Sequence, residues 1–332
     1  MKIGFVMPNL ALFGGPKRVV KIANILAKRG YDVRLYLHPN QVEIPSWIKE
    51  FKFKICNYND LFEDWNDFVF YLNPSCTDIR YLNSNSRFKV IYIVCNDGLP
   101  SKFYQNWINY SQDDPSVIIA GNNGLWRQNY KTYKRRCFDL IGSIDVKQYY
   151  PVDVVKDGFN IVMQGRISRE WKGAMEIIKT LESFKGINLI IFNTEPLKLK
   201  TSLKVEEKIN VPQDKMKEVY SKGDIFIHYE DNTAGWSNTT AEAMACGLPV
   251  VVTKTGHLEK YAVGEIIASE SPQELAKAIT KLVNLPSDKY QALSKKASEK
   301  TKAFSWSEIT KKRLQYYSKI IKNQKKETLL GA

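Results

Sequence analysis

The chain has 332 residues, 44% of them hydrophobic, 12% aromatic and 25% charged. That is too apolar and too aromatic for a disordered chain, and at roughly 100–200 residues per domain it is long enough for two domains. No apolar run approaches the ~18 residues of a membrane span. Five cysteines (56, 76, 95, 137 and 246) stand far apart with no C-x-x-C spacing, and only three histidines accompany them. This argues against a zinc site and a disulfide framework, and it fits a reducing cytoplasm. The net charge of +14 is spread, with 20 basic against 13 acidic groups in residues 1–150 and 29 against 22 in the remainder. Such a balance favours an anionic partner: nucleotide phosphates, an acidic membrane surface or nucleic acid. The apolar start Met1–Phe13 is broken by Pro8, followed at once by Gly14-Gly15, and lacks a small-x-small cleavage site, so it reads as strand and loop, not as a signal peptide.

In chain order, Lys2–Met7 reads as a buried strand, Pro8–Pro16 as a loop and Lys17–Arg29 as a helix stopped by Gly30, with Asp32–His38 as the next strand. This is a crossover unit of a parallel sheet. Further strands are expected at Phe51–Cys56, Asp67–Leu72, Lys89–Cys95, Val117–Ala120 and Phe138–Ile141. The stretch Tyr149–Asp157, with Pro151 inside it and Gly158 just after it, breaks the rhythm, and the alternation then restarts. Strands are expected at Phe159–Gln164, Ile187–Phe192, Asp224–Tyr229 and Pro249–Thr253. Helices are expected at Gly173–Phe184, Asp214–Lys222, Thr239–Cys246, Pro272–Val283, Lys289–Ala303 and Ser305–Lys325. The pattern predicts an α/β protein of two doubly wound, Rossmann-like parallel-sheet domains facing across a cleft. Residues 1–152 form the first domain, 153–303 the second, and 304–332 a terminal helix returning toward the first. In such sheets ligands sit beyond the carboxyl ends of the strands, so the residues after each strand are the ones that carry chemistry.

Gly14 and Gly15, between the first strand and the first helix, suit close approach of backbone to a phosphate or sugar, or simply a tight turn; no G-x-G-x-x-G is present. Gly165-Arg166-Ile167 followed by Lys172-Gly173 brackets a strand end and a helix start. An Arg fork and a Lys point charge there make a diphosphate clamp, with a pair of solvated surface cations as the alternative. The densest segment runs from Glu230 to Val252. In it the loop Gly235-Trp236-Ser237-Asn238 leads into a small-residue helix capped by Asn238 or Thr239, from which Glu242 projects.

G-R-I with K-G shortly after, then A-E-A-M-A-C-G-L-P-V-V, resembles the donor domain of the retaining GT-B glycosyltransferases of the family 4 type (glycosyl transferases group 1). The Gly-Gly loop, the Ser143–Pro151 stretch and the Phe304–Trp306 helix start fall where that family has its own, so the resemblance extends over nearly the whole chain. It implies transfer of a sugar from a nucleotide-diphosphate donor to a hydroxyl acceptor, a cell-surface glycan or glycolipid precursor, with retention at the anomeric carbon and without a metal or other cofactor. It implies that Arg166 and Lys172 bind the donor diphosphate and act catalytically on the leaving group. Glu242 would hydrogen-bond the ribose, the segment from Gly235 to Thr239 with Gly165 would line the donor site, and Gly14 and Gly15 would close over the phosphate.

Two departures from the family pattern stand out. Eight positions before Glu242, where the family carries another glutamate, this chain has Ala234, and Glu230 and Asp231 are the substitutes close at hand for sugar contact. Where many members carry a histidine, the strand ends Cys95-Asn96-Asp97-Gly98, making Asp97 the catalytic candidate, or else a turn aspartate. His257 and Glu259 lie in a turn where the family places a glutamate, and are further candidates for sugar or phosphate contact. The last helix carries Lys311, Lys312, Arg313, Lys319, Lys322, Lys325 and Lys326. It suits either peripheral contact with an anionic membrane from the cytoplasmic side or plain packing with a solvated basic face. A nucleotide- or glycan-binding subunit with lost turnover is the alternative kept open by Ala234. No nucleic-acid recognition motif is present, so no nucleic-acid partner is expected.

Overall fold

The structure, a computed structural model, describes residues 1–7, 9–10, 14–38, 43–72, 79–93, 106–107, 109–111, 113–121, 136–139, 142–165, 173–197, 199–229, 236–254, 258–267 and 271–330. It divides into two compact units, Met1–Leu140 and Ile141–Ala332. The division falls earlier in the chain than the expected 152/153 boundary. The reason is packing: Ile144 and Tyr149 are buried in the second unit's core, and Ile144 N–H donates to the Phe304 carbonyl at 3.0 Å.

The first unit is built on a parallel sheet of β1 (Lys2–Met7), β2 (Asp32–Leu37), β3 (Lys54–Asn57), β4 (Asn66–Leu72), β5 (Ser86–Ile93), β6 (Val117–Gly121) and β7 (Arg136–Asp139), in the order β3-β2-β1-β4-β5-β6-β7. Its helix α1 (Gly14–Lys28) starts three residues earlier than the periodicity predicts, so Gly14, Gly15 and Pro16 form its first turn instead of a loop. First-turn N–H groups have no intrahelical acceptor, so a proline there costs no hydrogen bond. Val19, Val20, Ile22, Ala23 and Leu26 supply the buried face.

The second unit has a parallel sheet of β8 (Phe159–Gln164), β9 (Ile187–Asn193), β10 (Lys204–Ile209), β11 (Ile225–His228), β12 (Val250–Thr253) and β13 (Gly264–Ile267), in the order β10-β9-β8-β11-β12-β13. The edge strands β10 and β13 were not anticipated from sequence. Edge strands need not be apolar on both faces, and KVEEKI carries charges that keep such an edge from pairing with another chain.

Alternation along the central strands divides the core into two faces. Val162, Phe226, Val250 and Val252 face α3 (Met216–Ser221) and α4 (Asn238–Ala245). Ile161, Met163, Ile225, Ile227 and Val251 face α2 (Ala174–Leu181) and α6 (Pro272–Val283). Between α4 and α6 lies the short α5 (Leu258–Tyr261), and the chain ends in α7 (Ser287–Lys302) and α8 (Trp306–Leu330). On α8 the buried residues are Ile309, Thr310, Arg313, Tyr317 and Ile320, a helical stripe, while Lys311, Lys312, Lys319 and Lys322 are exposed. Arg313 therefore leaves the solvated basic face to which the sequence assigned it. No helix among the described residues is long and apolar enough to cross a membrane.

Candidate functional site

In each sheet the strand order reverses direction between its first strand and its fourth, β1 and β4 in one unit and β8 and β11 in the other. The carboxyl ends of those strands are the switch points at which doubly wound sheets take their ligands. In the second unit, β8 runs out at Gln164 and Gly165, and β11 at His228 and Tyr229.

Three features shape this switch point. Gly165 N–H continues the ladder to the Phe192 carbonyl at 3.0 Å, and a Cβ on Gly165 would lie 2.4 Å from Ile191 and 2.6 Å from Leu197. Packing alone thus demands the glycine. Gly173 precedes α2 in the left-handed region at φ +57°, with the Tyr229 ring 2.1 Å from where its Cβ would sit. The start of α2 and the end of β11 are therefore in van der Waals contact. The third is the start of α4. Its cap is Ser237, whose hydroxyl accepts from Thr240 N–H at 3.2 Å and from the Thr240 hydroxyl at 2.9 Å. The expectation of a cap at Asn238 or Thr239 is corrected by one and two residues. Ser237 alone has the extended backbone a cap needs, with Asn238 and Thr239 already helical.

Ser237 is itself held from below. Its N–H donates to the Tyr261 hydroxyl at 3.0 Å, and the Tyr261 ring lies 4.4 Å, centroid to centroid, from Trp236. The Trp236 side chain is buried; it packs against Phe304 and over Gly142, where a Cβ would meet the indole at 2.1 Å, and its Nε1 donates to Asn238 Oδ1 at 2.9 Å. Of Trp236, then, the main chain is what remains for a ligand. Asn238 is exposed and Thr239 half-buried on the first turn of α4.

Glu242 stands one turn further along α4, half-buried. Its Oε2 accepts from the fully buried Tyr220 hydroxyl at 2.9 Å. Burial first, then the negative charge of Glu242, pushes the Tyr220 phenol well above its ordinary pKa. Tyr149 is raised for the same two reasons, and its hydroxyl accepts from Gln213 Nε2 at 3.0 Å. Neither tyrosine was singled out from sequence. The one signal was that Tyr149 lies within Ser143–Pro151, a stretch already marked by the resemblance.

Glu259 opens α5 beyond β12 and pairs with Lys254 at 3.7 Å, both side chains well exposed. In the first unit, Gly14 and Gly15 open α1 beyond β1 at that sheet's switch point. Next to them Arg18 is buried and donates from Nη1 to the Tyr92 hydroxyl at 3.2 Å. Asp97, Arg166, Lys172, Glu230, Asp231, Ala234, Gly235 and His257 lie outside the described residues.

Residues 158–284, which carry β8 to α6 and hence the switch point, match the family model described as glycosyl transferases group 1. Over these residues the chain is similar to the group 1 glycosyl transferases. Over 226 residues, 65% of its length, the chain is 25% identical to the phosphatidylinositol N-acetylglucosaminyltransferase GPI3 subunit of Saccharomyces cerevisiae. It spans about half the length of that curated relative (48%). Solved structures resemble it over almost its whole length. A glycosyltransferase from Rickettsia africae aligns with a TM-score of 0.74 at 15% identity, over 97% of this chain and 99% of the other. Sucrose-phosphate synthase from Thermosynechococcus elongatus aligns at 0.73 and 13%, with the same coverage. Anabaena HepE, solved with UDP and glucose, aligns at 0.73 and 14%, over 96% and 100%. At these identities the likeness establishes the fold, and the fold is that of the GT-B glycosyltransferases.

Proposed function

We propose that this glycosyltransferase moves a sugar from a nucleotide-diphosphate donor to a hydroxyl of a glycan or lipid-linked acceptor, with retention of anomeric configuration. The observation that carries the reading is the start of α4. A helix with its first turn capped by Ser237 begins directly beyond β11 at the switch point and presents Glu242 one turn on. Such a helix start favours phosphate through its N–H groups and partial positive charge, and a carboxylate accepts from both hydroxyls of a ribose. Arg166 and Lys172 meet the remaining charge of the diphosphate and stabilise it as it departs, the task a metal ion performs in other transferases. Glu230, Asp231, His257 and Glu259 are the candidates for sugar contact, and Asp97 is the catalytic candidate in the first unit.

The UDP and glucose held by HepE make a uridine nucleotide the first donor to try. The yeast relative, a phosphatidylinositol N-acetylglucosaminyltransferase subunit, supports an N-acetylglucosaminyl donor and a glycolipid acceptor. A lipid-linked acceptor places the chain at the cytoplasmic face of a membrane, with the exposed lysines of α8 toward anionic headgroups.

Calorimetric titration with UDP, GDP and dTDP and their common sugar conjugates tests the reading. One nucleotide binds the native chain, binding is lost in Arg166→Ala, and turnover with that donor persists in EDTA. No binding by any of them overturns it. Binding without donor consumption favours the second reading, a subunit that has lost turnover, for which Ala234 is the motivating residue.

A further inference from the structure

The carboxylate of Glu242 reaches a group in the core behind its helix. Tyr220 holds it there, and Tyr149, on a different segment of the unit, packs against that tyrosine. Tyr220 ends α3 and is wholly inaccessible, and its hydroxyl reaches Glu242 Oε2 at 2.9 Å. Tyr149, 3% exposed, comes from the segment that opens the unit, and its ring meets Tyr220 edge-on at 6.3 Å. Gln213 Nε2 donates to the Tyr149 hydroxyl at 3.0 Å, which fixes the ring that packs on Tyr220. We propose that Tyr220, with Tyr149 packed against its ring, is a positioning residue that holds Glu242 in one orientation toward a ligand diol, and so sets this site's preference for ribose over 2′-deoxyribose nucleotides. The inference rests on the donor-site reading above and deepens it.

A half-exposed glutamate samples several rotamers and loses that freedom when it binds. Here the core removes the freedom beforehand. A buried phenol has no water to turn to, so any Glu242 rotamer that leaves Tyr220 strands a polar group in an apolar cluster of Val219, Phe226, Ala241 and Met244. Hydrogen bonds to a charged acceptor are also the stronger kind. The orientation imposed in this way serves a ligand with two adjacent hydroxyls and is of no use to one lacking the second.

The experiment is calorimetric titration of the full chain with UDP, GDP and their 2′-deoxy counterparts. The native protein is compared with Tyr220→Phe, Tyr149→Phe, the double variant, Glu242→Ala and Glu242→Gln. Tyr290→Phe is the control, because its hydroxyl bonds the Asp224 carbonyl at 3.0 Å elsewhere in the same unit. Thermal unfolding of each variant verifies that it is folded. The phenylalanines keep the rings and remove only the hydroxyls. The expected result is that Tyr220→Phe weakens the ribonucleotide by about ten-fold, the worth of one hydrogen bond to a charged group. The 2′-deoxy nucleotide should change by less than about two-fold, Tyr149→Phe should act in the same direction more weakly, and Tyr290→Phe should leave the preference intact. Equal losses for both sugars, or none, with Glu242→Ala still abolishing the preference, overturn the positioning role and leave the donor site standing. A Glu242→Ala or Glu242→Gln protein with the native preference overturns the ribose assignment itself. Failure of the native chain to bind any diphosphate overturns both.

Discussion

Replacing Gly173 with alanine tests whether the switch point is built as described. The backbone there has φ +57°, a conformation that costs a non-glycine residue roughly 1–2 kcal/mol. The loss of unfolded-chain entropy returns about 0.4–1 kcal/mol. The larger effect is steric, because the new methyl would lie 2.1 Å from Cδ1 and 2.7 Å from Cε1 of Tyr229, a buried ring that cannot swing into solvent. Overpacking of this kind costs roughly 1–3 kcal/mol. Gly186 in the same unit supplies the reference, with φ +75° and nothing within 4 Å of its would-be Cβ. Gly186→Ala therefore incurs the backbone cost alone. Equilibrium urea unfolding followed by far-ultraviolet circular dichroism should show Gly173→Ala less stable than Gly186→Ala by about 1–3 kcal/mol. Both changes fall in one unit, so a separate transition of the other unit cancels from the comparison. Equal losses would show that Tyr229 does not pack on the start of α2, and the argument that joins the ends of β8 and β11 to that helix would fall with it.

Ser237→Ala removes the α4 cap and should cost about 1 kcal/mol in the same assay, while Tyr261→Phe strands the Ser237 N–H and should cost about 1–3 kcal/mol. An unchanged midpoint in either variant would refute the assigned bond. Asp64 offers a test by pH. Burial pushes its carboxyl up, but hydrogen bonds from Arg34 and Tyr36 outweigh that and hold it below the ordinary value. A folded pKa below the unfolded one contributes stability that is present above about pH 4 and lost as the pH falls through the folded value. Asp64→Asn should thus be less stable than the native chain at pH 7, with a shallower loss of stability on acidification; parallel acid limbs would contradict this. Cys246 is buried, and burial first and the charge of Glu242 second push its thiol up. Peptide mass mapping at pH 8 should find it unmodified by iodoacetamide in the native chain and fully modified in urea; equal rates would place it at the surface.

The central strands were legible because buried parallel strands read as apolar runs: FNIVMQ, INLIIFN and VVVT are all recognisable unaided. The helices with strong periodicity were equally plain, and the α4 segment carried enough of the glycosyltransferase pattern to be singled out. Edge strands were not legible, since KVEEKI has the composition of a surface helix and becomes a strand only by hydrogen-bonding to β9. The early start of α1 was hidden for a related reason, because glycine and proline are turn signals until a first helical turn makes them harmless.

By itself the sequence determined the two-unit α/β architecture, the strands that make its core and the segment in which Glu242 lies. Those properties follow from local pattern, which each segment carries within itself. Only the tertiary structure decided that Ser237 is the cap and that the Trp236 side chain belongs to the core. It alone decided that Glu242 is gripped by Tyr220, 22 residues away along the chain. Such contacts depend on which helix the sheet order sets beside which, and no periodicity within a segment records its neighbour.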